Sequence, residues 1–210
     1  VSAAGETATG SNATELEGRP SSAASARELL LLADAHDQQK RSAAHALREQ
    51  LAAEPASGKE SAIQTQLLRL SADPLTAPDA LAAMAALDPP IGADLLYEVW
   101  TASTVRSDTT DLARALLYSA DVRSKASSAL SVALDLRVAE TCEQYEAVLP
   151  KALTDGDRRA AHLLAKLNAK HGCGAKKNED CYACLRAKKD ELSATISAVK
   201  SRTAPSFATQ

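Results

Sequence analysis

Apolar residues recur along this chain three and four positions apart, the spacing of helices that bury one stripe. From Ala26 to Ala53 there is no Gly or Pro, and Leu29, Leu30 and Ala33, then Ala44, Leu47 and Leu51, keep that spacing. The polar patch His36-Asp37-Gln38-Gln39-Lys40 interrupts the stripe. It predicts two helices joined by a short turn, with one long helix as the alternative. Pro55 and Gly58 close this unit, and Ile63, Leu67, Leu68 and Leu70 carry the next helix as far as Asp73-Pro74. A further helix follows from Thr76, where Thr76-x-x-Asp79 resembles a capping box and Pro78 sits in the first turn. It passes through Leu81, Met84 and Leu87 and stops at Asp88-Pro89-Pro90, because a residue before proline is pushed out of the α region.

Leu95, Leu96, Val99 and Trp100 then fill one helical face ahead of a Thr/Ser-rich turn at 101–110. Leu112, Ala115 and Leu116 predict a sixth helix, and Val122, Ala126, Ala129, Leu130, Ala133 and Leu134 a seventh. Thr141-x-x-Gln144 predicts a capping box opening an eighth, with Tyr145, Val148, Leu149 and Ala152 on one face and Pro150 inside the stripe. Asp155-Gly156-Asp157 supplies a turn and an N-cap for a ninth helix through Leu163, Leu164 and Leu167, with Gly172 suited to its C-terminal cap. After a cysteine-bearing loop, a tenth helix holds Leu185, Leu192, Ile196 and Val199. Ten short helices and no strand signal predict an all-α fold of stacked antiparallel helix pairs, either α-solenoid-like or an irregular helical bundle. In such a stack the ligand surface lies on alternate helices, with Trp100 and Leu134 buried between layers.

Composition strengthens the helical assignment. Ala supplies 45 of the 210 residues, whereas Phe, Trp and Tyr together supply six, a balance that favours helices over sheets. Residues 1–22 are rich in Gly, Ser, Thr, Ala and Glu with few large apolar side chains, so they are expected to be a disordered linker. The helical domain is placed at 23–203, with a frayed, disordered tail at 204–210. The longest apolar stretch, Ala80 to Leu87, is far short of the roughly 20 residues of a membrane helix. The opening Val1-Ser2-Ala3-Ala4-Gly5 carries no basic or apolar leader, which favours a segment cut from something longer.

The net charge of −3 hides an asymmetry: residues 151–210 carry net +6, leaving −9 for the rest. A solvated helical face accounts for this basic quarter more simply than a nucleic-acid footprint does, and the basic residues are not interleaved with stacking aromatics. No phosphate-binding loop, dinucleotide fingerprint, nucleophile elbow, zinc-protease or kinase motif is present. The chain is therefore read as a non-enzyme, with no catalytic residue, no cofactor and no metal. His36, His45, His162 and His171 fall on predicted surface or boundary positions, and Asp155 and Asp157 cap a turn.

The informative residues are Cys142, Cys173, Cys181 and Cys184, three of them clustered in one short segment. Two disulfides in an oxidising compartment, a zinc site of four cysteines or of three with His171, and a redox Cys181-x-x-Cys184 compete. The redox pair lacks its βαβ context, and a zinc ribbon usually shows two such knuckles, so disulfides are preferred. A Cys181–Cys184 bond would have to close across one helical turn with constrained side-chain directions. The preferred pairing is therefore Cys173–Cys181 with Cys142–Cys184; Cys142–Cys173 with Cys181–Cys184 is the runner-up, and the third connectivity stays open.

The stretches Asp94-Leu-Leu-Tyr-Glu-Val-Trp100, Arg123-x-Lys-Ala-Ser-x-Ala-Leu-x-Val-Ala-Leu-Asp-Leu-Arg137, Thr141-Cys142, Asp155-Gly-Asp157 and Cys173 through Asp180-Cys-Tyr-x-Cys-Leu-Arg186 resemble the helical C-terminal segment of certain bacterial Ser/Thr receptor-type kinases. In those proteins a cytoplasmic kinase domain is followed by a membrane helix, a low-complexity linker and a Cys-bearing helical domain outside the membrane. The resemblance covers about residues 90–205 and implies an accessory domain without catalysis of its own. The expectation is a non-enzymatic sensor or protein-interaction domain that is extracytoplasmic, periplasmic or secreted, with a protein or peptide partner. The alternative is a cytoplasmic binder of nucleic acid or an acidic partner through the basic quarter, with a zinc-stabilised cysteine cluster.

Overall fold

The computed structural model describes residues 23–207, with side chains from Leu31 onward. The linker expected at 1–22 and residues 208–210 of the expected tail lie outside the described residues. The fold is all-α: ten α-helices among the described residues, with one isolated bridge between Cys173 and Glu179 as their β pairing. No helix among them is long and apolar enough to cross a membrane. The chain divides into two compact units, one ending at Gln39 and one from Lys40.

The first unit contributes the N-terminal part of α1 (Ala23–Ala53). This helix runs unbroken through His36–Lys40, so the alternative to the two-helix expectation is what forms. Polar side chains there interrupt the apolar stripe without ending the helix, since none of them is Gly or Pro and each costs only about 0.7 kcal/mol or less in helix propensity.

In the second unit α2 (Ser61–Ser71), α3 (Ala77–Ala86), α4 (Ile91–Ala102) and α5 (Asp108–Leu117) each pack against the next. Thr76 opens α3, but it forms no capping box. Its backbone is α-region (φ −112°, ψ −14°) where a capping residue is usually extended, and its buried hydroxyl donates at 2.7 Å to the Leu70 carbonyl, which also accepts from the Asp73 N–H at 3.3 Å. The single helix expected over 122–134 is two, α6 (Ala120–Lys125) and α7 (Ser128–Val138). Ser127 makes the break: Ala126 and Ser127 are extended, and the Ser127 hydroxyl accepts from the Leu130 N–H, capping a new helix.

α7 is apolar on two opposite faces, and each face belongs to a different core. Leu130, Ala133 and Leu134 join the side chains of α2 to α6, among them Leu67, Leu81, Met84, Leu95 and Leu117. Val132 and Leu136 join the core shared with α8 (Cys142–Asp155), α9 (Arg158–Lys166) and α10 (Lys189–Ser201). α10 folds back against both α8 and α9, so these helices close on one another. The Thr141/Gln144 capping box opens α8, and the helix runs through Pro150. Asp157 caps α9 as expected. α9 ends well before Gly172, which takes a φ of 129° inside the cysteine loop instead.

The cysteines stand as two disulfide pairs, Cys142–Cys184 and Cys173–Cys181, the connectivity preferred from spacing. Their Cα separations of 6.1 and 5.1 Å lie in the ordinary range. Cys142 in the first turn of α8 thereby fixes the 3-10 turn Ala183–Lys188 that leads into α10. Cys173 and Cys181 close a tight hairpin, in which Cys173 and Glu179 exchange backbone hydrogen bonds at 3.1 and 3.0 Å. Arg186 pins that hairpin to the end of α9: its guanidinium donates to both Asp180 oxygens, to the Leu167 carbonyl at 3.2 Å and to the Ala169 carbonyl at 2.7 Å. Together with the Tyr182 N–H, these hydrogen bonds hold the Asp180 carboxyl down at about 2.

Two outcomes follow. Replacing Cys142 and Cys184 together by Ser should lower the unfolding free energy by about 4 kcal/mol, the loop-entropy value for a 42-residue separation, in denaturant titration; an unchanged midpoint would mean that the bond restrains nothing. Because Asp180 binds its proton less readily folded than unfolded, its contribution is complete above the ordinary value of 3.8 and is lost as pH falls through about 2. Carboxyl NMR titration should place its midpoint near 2 in the native chain and return it toward 3.8 in Arg186→Ala. A native midpoint at the ordinary value would contradict the clamp.

Candidate functional site

The Asp157 cap on α9 holds more than the helix end. Its carboxylate accepts from the Arg159 N–H at 2.9 Å, from Arg159 Nε at 3.0 Å and from Nη2 at 2.7 Å. The remaining arm of the same guanidinium, Nη1, donates to Asp94 on α4. Asp94, Asp157 and Arg159 have side chains only 5, 6 and 10% exposed. Burial, and the charge of Asp157 close by, push the Asp94 carboxyl above its ordinary value even though Arg159 pulls it down. Burial works against the Arg159 cation, but the hydrogen bonds it donates to Asp157 and Asp94 carry its pKa above the ordinary value, so it stays charged. The cluster joins the two cores through one buried cation between two carboxylates.

From that cation a stack of alternating guanidinium groups and rings leads outward. Arg159 lies over the Tyr97 ring at 5.6 Å, Arg137 over Tyr97 at 5.3 Å and over Trp100 at 4.7 Å, and Arg114 over Trp100 at 5.9 Å. Each step is a cation–π contact, worth about 0.5–1 kcal/mol where solvated and about 2 where dry. Arg137 Nε and Nη2 also donate to the Tyr97 hydroxyl at 3.3 and 3.2 Å, which fixes the planar group between the two rings. Tyr97 and Tyr118 meet Trp100 edge-on at 6.0 and 5.9 Å. The inner end of the stack is neutralised by Asp94 and Asp157. At the outer end, Arg137 and Arg114 are exposed, and among the described residues neither pairs with a carboxylate.

This outer end forms one side of a cleft of about 280 Å³. Trp100, Arg114, Tyr118 and Arg137 line it from the first core, and Tyr145, Lys166 and Tyr182 line it from the second. Tyr145 and Tyr182 stand edge-on at 5.5 Å beside the Cys142–Cys184 bond, and the Tyr145 hydroxyl donates to the Ala139 carbonyl at 2.7 Å. The Tyr118 hydroxyl donates to the Leu134 carbonyl at 3.3 Å, and burial raises its pKa. Of the six aromatic residues in the chain, four line this cleft and Tyr97 backs it. Among the described residues three cations and no carboxylate line it. Such a surface can accept negative charge on a partly apolar body.

Trp100, expected to be buried between layers, is only partly so and lines the cleft; Leu134 is fully buried. His45 sits beside Glu49 and Asp79 at 3.3 and 3.4 Å, His171 beside the Asn178 carbonyl at 3.2 Å, and His162 is exposed. Among the described residues no three His, Cys, Asp or Glu side chains converge so as to hold a metal ion. The cleft itself went unread in the sequence, where its aromatics and cations lie far apart. No family model, curated protein or solved structure matches this chain.

Proposed function

We propose that this chain is a non-enzymatic protein-interaction domain, periplasmic or secreted, whose cleft takes an acidic segment of a partner protein. The observation that carries this is the outer end of the stack: Arg137 and Arg114 are held rigid on Trp100, face solvent, and have no carboxylate of their own among the described residues. Guanidinium groups already ordered by rings lose little freedom when they accept a carboxylate, so the entropic cost of binding is low. The two disulfide pairs agree with an oxidising environment outside the cytoplasm. The resemblance to segments that follow a membrane helix in receptor-type kinases supports a place beside such a receptor.

A nucleic-acid strand would use the same charges but would also need open ring faces for its bases. Guanidinium groups already lie over Trp100, and the neighbouring rings meet edge-on. That geometry favours carboxylates over bases.

Trp100 is the only Trp, so its emission reports on the cleft directly. Titration with a glutamate-rich peptide should change that emission saturably, with an affinity that weakens as salt is added. Arg137→Ala should weaken binding by about 2 kcal/mol or more, roughly thirtyfold, as expected for an ordered interface arginine. Equal binding by Arg137→Ala, or tighter binding of single-stranded DNA than of the peptide, would overturn the proposal.

A further inference from the structure

The chain does not leave the fold at the end of α10. Arg202 donates to the Gly156 carbonyl at 2.9 Å and to the Leu153 carbonyl at 2.8 Å, and its own carbonyl accepts from the Arg158 N–H at 3.2 Å. These bonds fasten the start of the tail to the end of α8 and the start of α9. Thr203 to Phe207 then continue without helix, and the Phe207 side chain packs, half-buried, against the first core. Phe207 is the only Phe in the chain.

The place where it lands is a groove of about 660 Å³ between α2, α4 and α5. Its apolar floor is Leu68, Pro74, Val99 and Ala102, and among the described residues the one charged side chain in its lining is Glu98. Phe207 is itself a wall of that space, so the described tail residues leave room in the groove beside the ring. An unfilled apolar groove forfeits contacts that a bulkier or better-aligned occupant would make. The groove shares no lining residue with the basic cleft, and its single carboxylate gives it the opposite charge preference.

We infer that this groove is a second peptide site, held in cis by Phe207, that takes from a partner protein a non-helical, uncharged or basic segment carrying an aromatic anchor. The tail shows the chemistry that fits: an aromatic ring preceded by small residues and proline, Ala204-Pro205-Ser206-Phe207. Because the cis occupant must leave before a partner enters, apparent affinity is reduced by the fraction of chains whose groove is open. The tail is thus a built-in competitor, and its displacement couples partner binding to release of the non-helical segment that follows α10.

The single Phe permits a direct test on the full, unaltered chain. Fluorophenylalanine incorporated throughout gives one fluorine signal, from position 207. The probe is a synthetic peptide of residues 202–210. The expected result is a signal at a buried position that moves to the solvent position saturably as peptide is added, and no such change with the same peptide carrying Phe207→Ala. In parallel, the Phe207→Ala chain should bind the labelled native-sequence peptide about tenfold or more tightly than the unaltered chain does. The inference is overturned if the fluorine signal starts at the solvent position, or if it stays buried at every peptide concentration. Equal displacement by the peptide without Phe, or a folded Phe207→Ala chain that binds no peptide, also overturns it. Failure of the basic cleft to bind an acidic peptide leaves each of these readings unchanged, since the two sites are separate.

Discussion

A single buried guanidinium, that of Arg159, connects the parts of this molecule that matter for binding. Placing one cation and two carboxylates out of water costs several kcal/mol per ion, which their mutual attraction repays only when the hydrogen bonds are well made. Here Asp157 accepts from three N–H groups of Arg159 and Asp94 from a fourth. Burial pushes the Asp94 carboxyl above its ordinary value against the pull of Arg159. The cluster is therefore a weak source of net stability and a strong constraint on geometry: any arrangement that separates α4 from the start of α9 leaves charge buried without a partner. An Ala-rich core with few large anchors gains from such a constraint, because small side chains alone fix helix positions loosely.

The cleft inherits its geometry from that constraint. Arg159 sets Tyr97, Tyr97 sets Arg137 through its hydroxyl and its ring, and Arg137 with Arg114 sets the environment of Trp100. The opposite wall, Tyr145 and Tyr182, is held by the Cys142–Cys184 bond and, through the hairpin, by Arg186 on Asp180. One wall thus depends on a buried ion cluster and the other on a covalent link. Side chains held in this way are pre-organised, and the freedom they would lose on binding is largely lost already on folding.

How much of this the sequence revealed depends on the range of the interaction. Helices were legible because their signals are local: apolar spacing, Pro78 near the start of α3, and Thr141 with Gln144 opening α8. Local signals failed where two chemistries competed at one residue. Thr76 has a capping side chain, but its backbone is α-region instead of extended, so no cap forms and its hydroxyl donates to Leu70. Ser127 lay within an unbroken apolar pattern, yet its hydroxyl caps α7 and ends α6. The box at Ser107 passed unnoticed because Thr110 stands where Glu or Gln is usual. The cysteine pairing could be argued because strain across one helical turn is itself a local property. The cleft could not: Tyr97, Arg114, Arg137, Tyr145 and Tyr182 sit on separate elements, and Asp94 and Arg159 are 65 residues apart. What looked like scattered aromatics is one surface once α7 has been shared between two cores.

The most direct measurement is equilibrium unfolding of Arg159→Met, followed by Trp100 emission, beside a chain in which Asp94→Asn, Asp157→Asn and Arg159→Met are combined. Removing the cation alone leaves two carboxylates buried and unpaired, and should cost about 3–5 kcal/mol, whereas the uncharged combination should recover much of that loss. If Arg159→Met unfolded within about 0.5 kcal/mol of the native chain, as a surface substitution does, the buried cluster would not be what holds the two cores and the cleft between them in place.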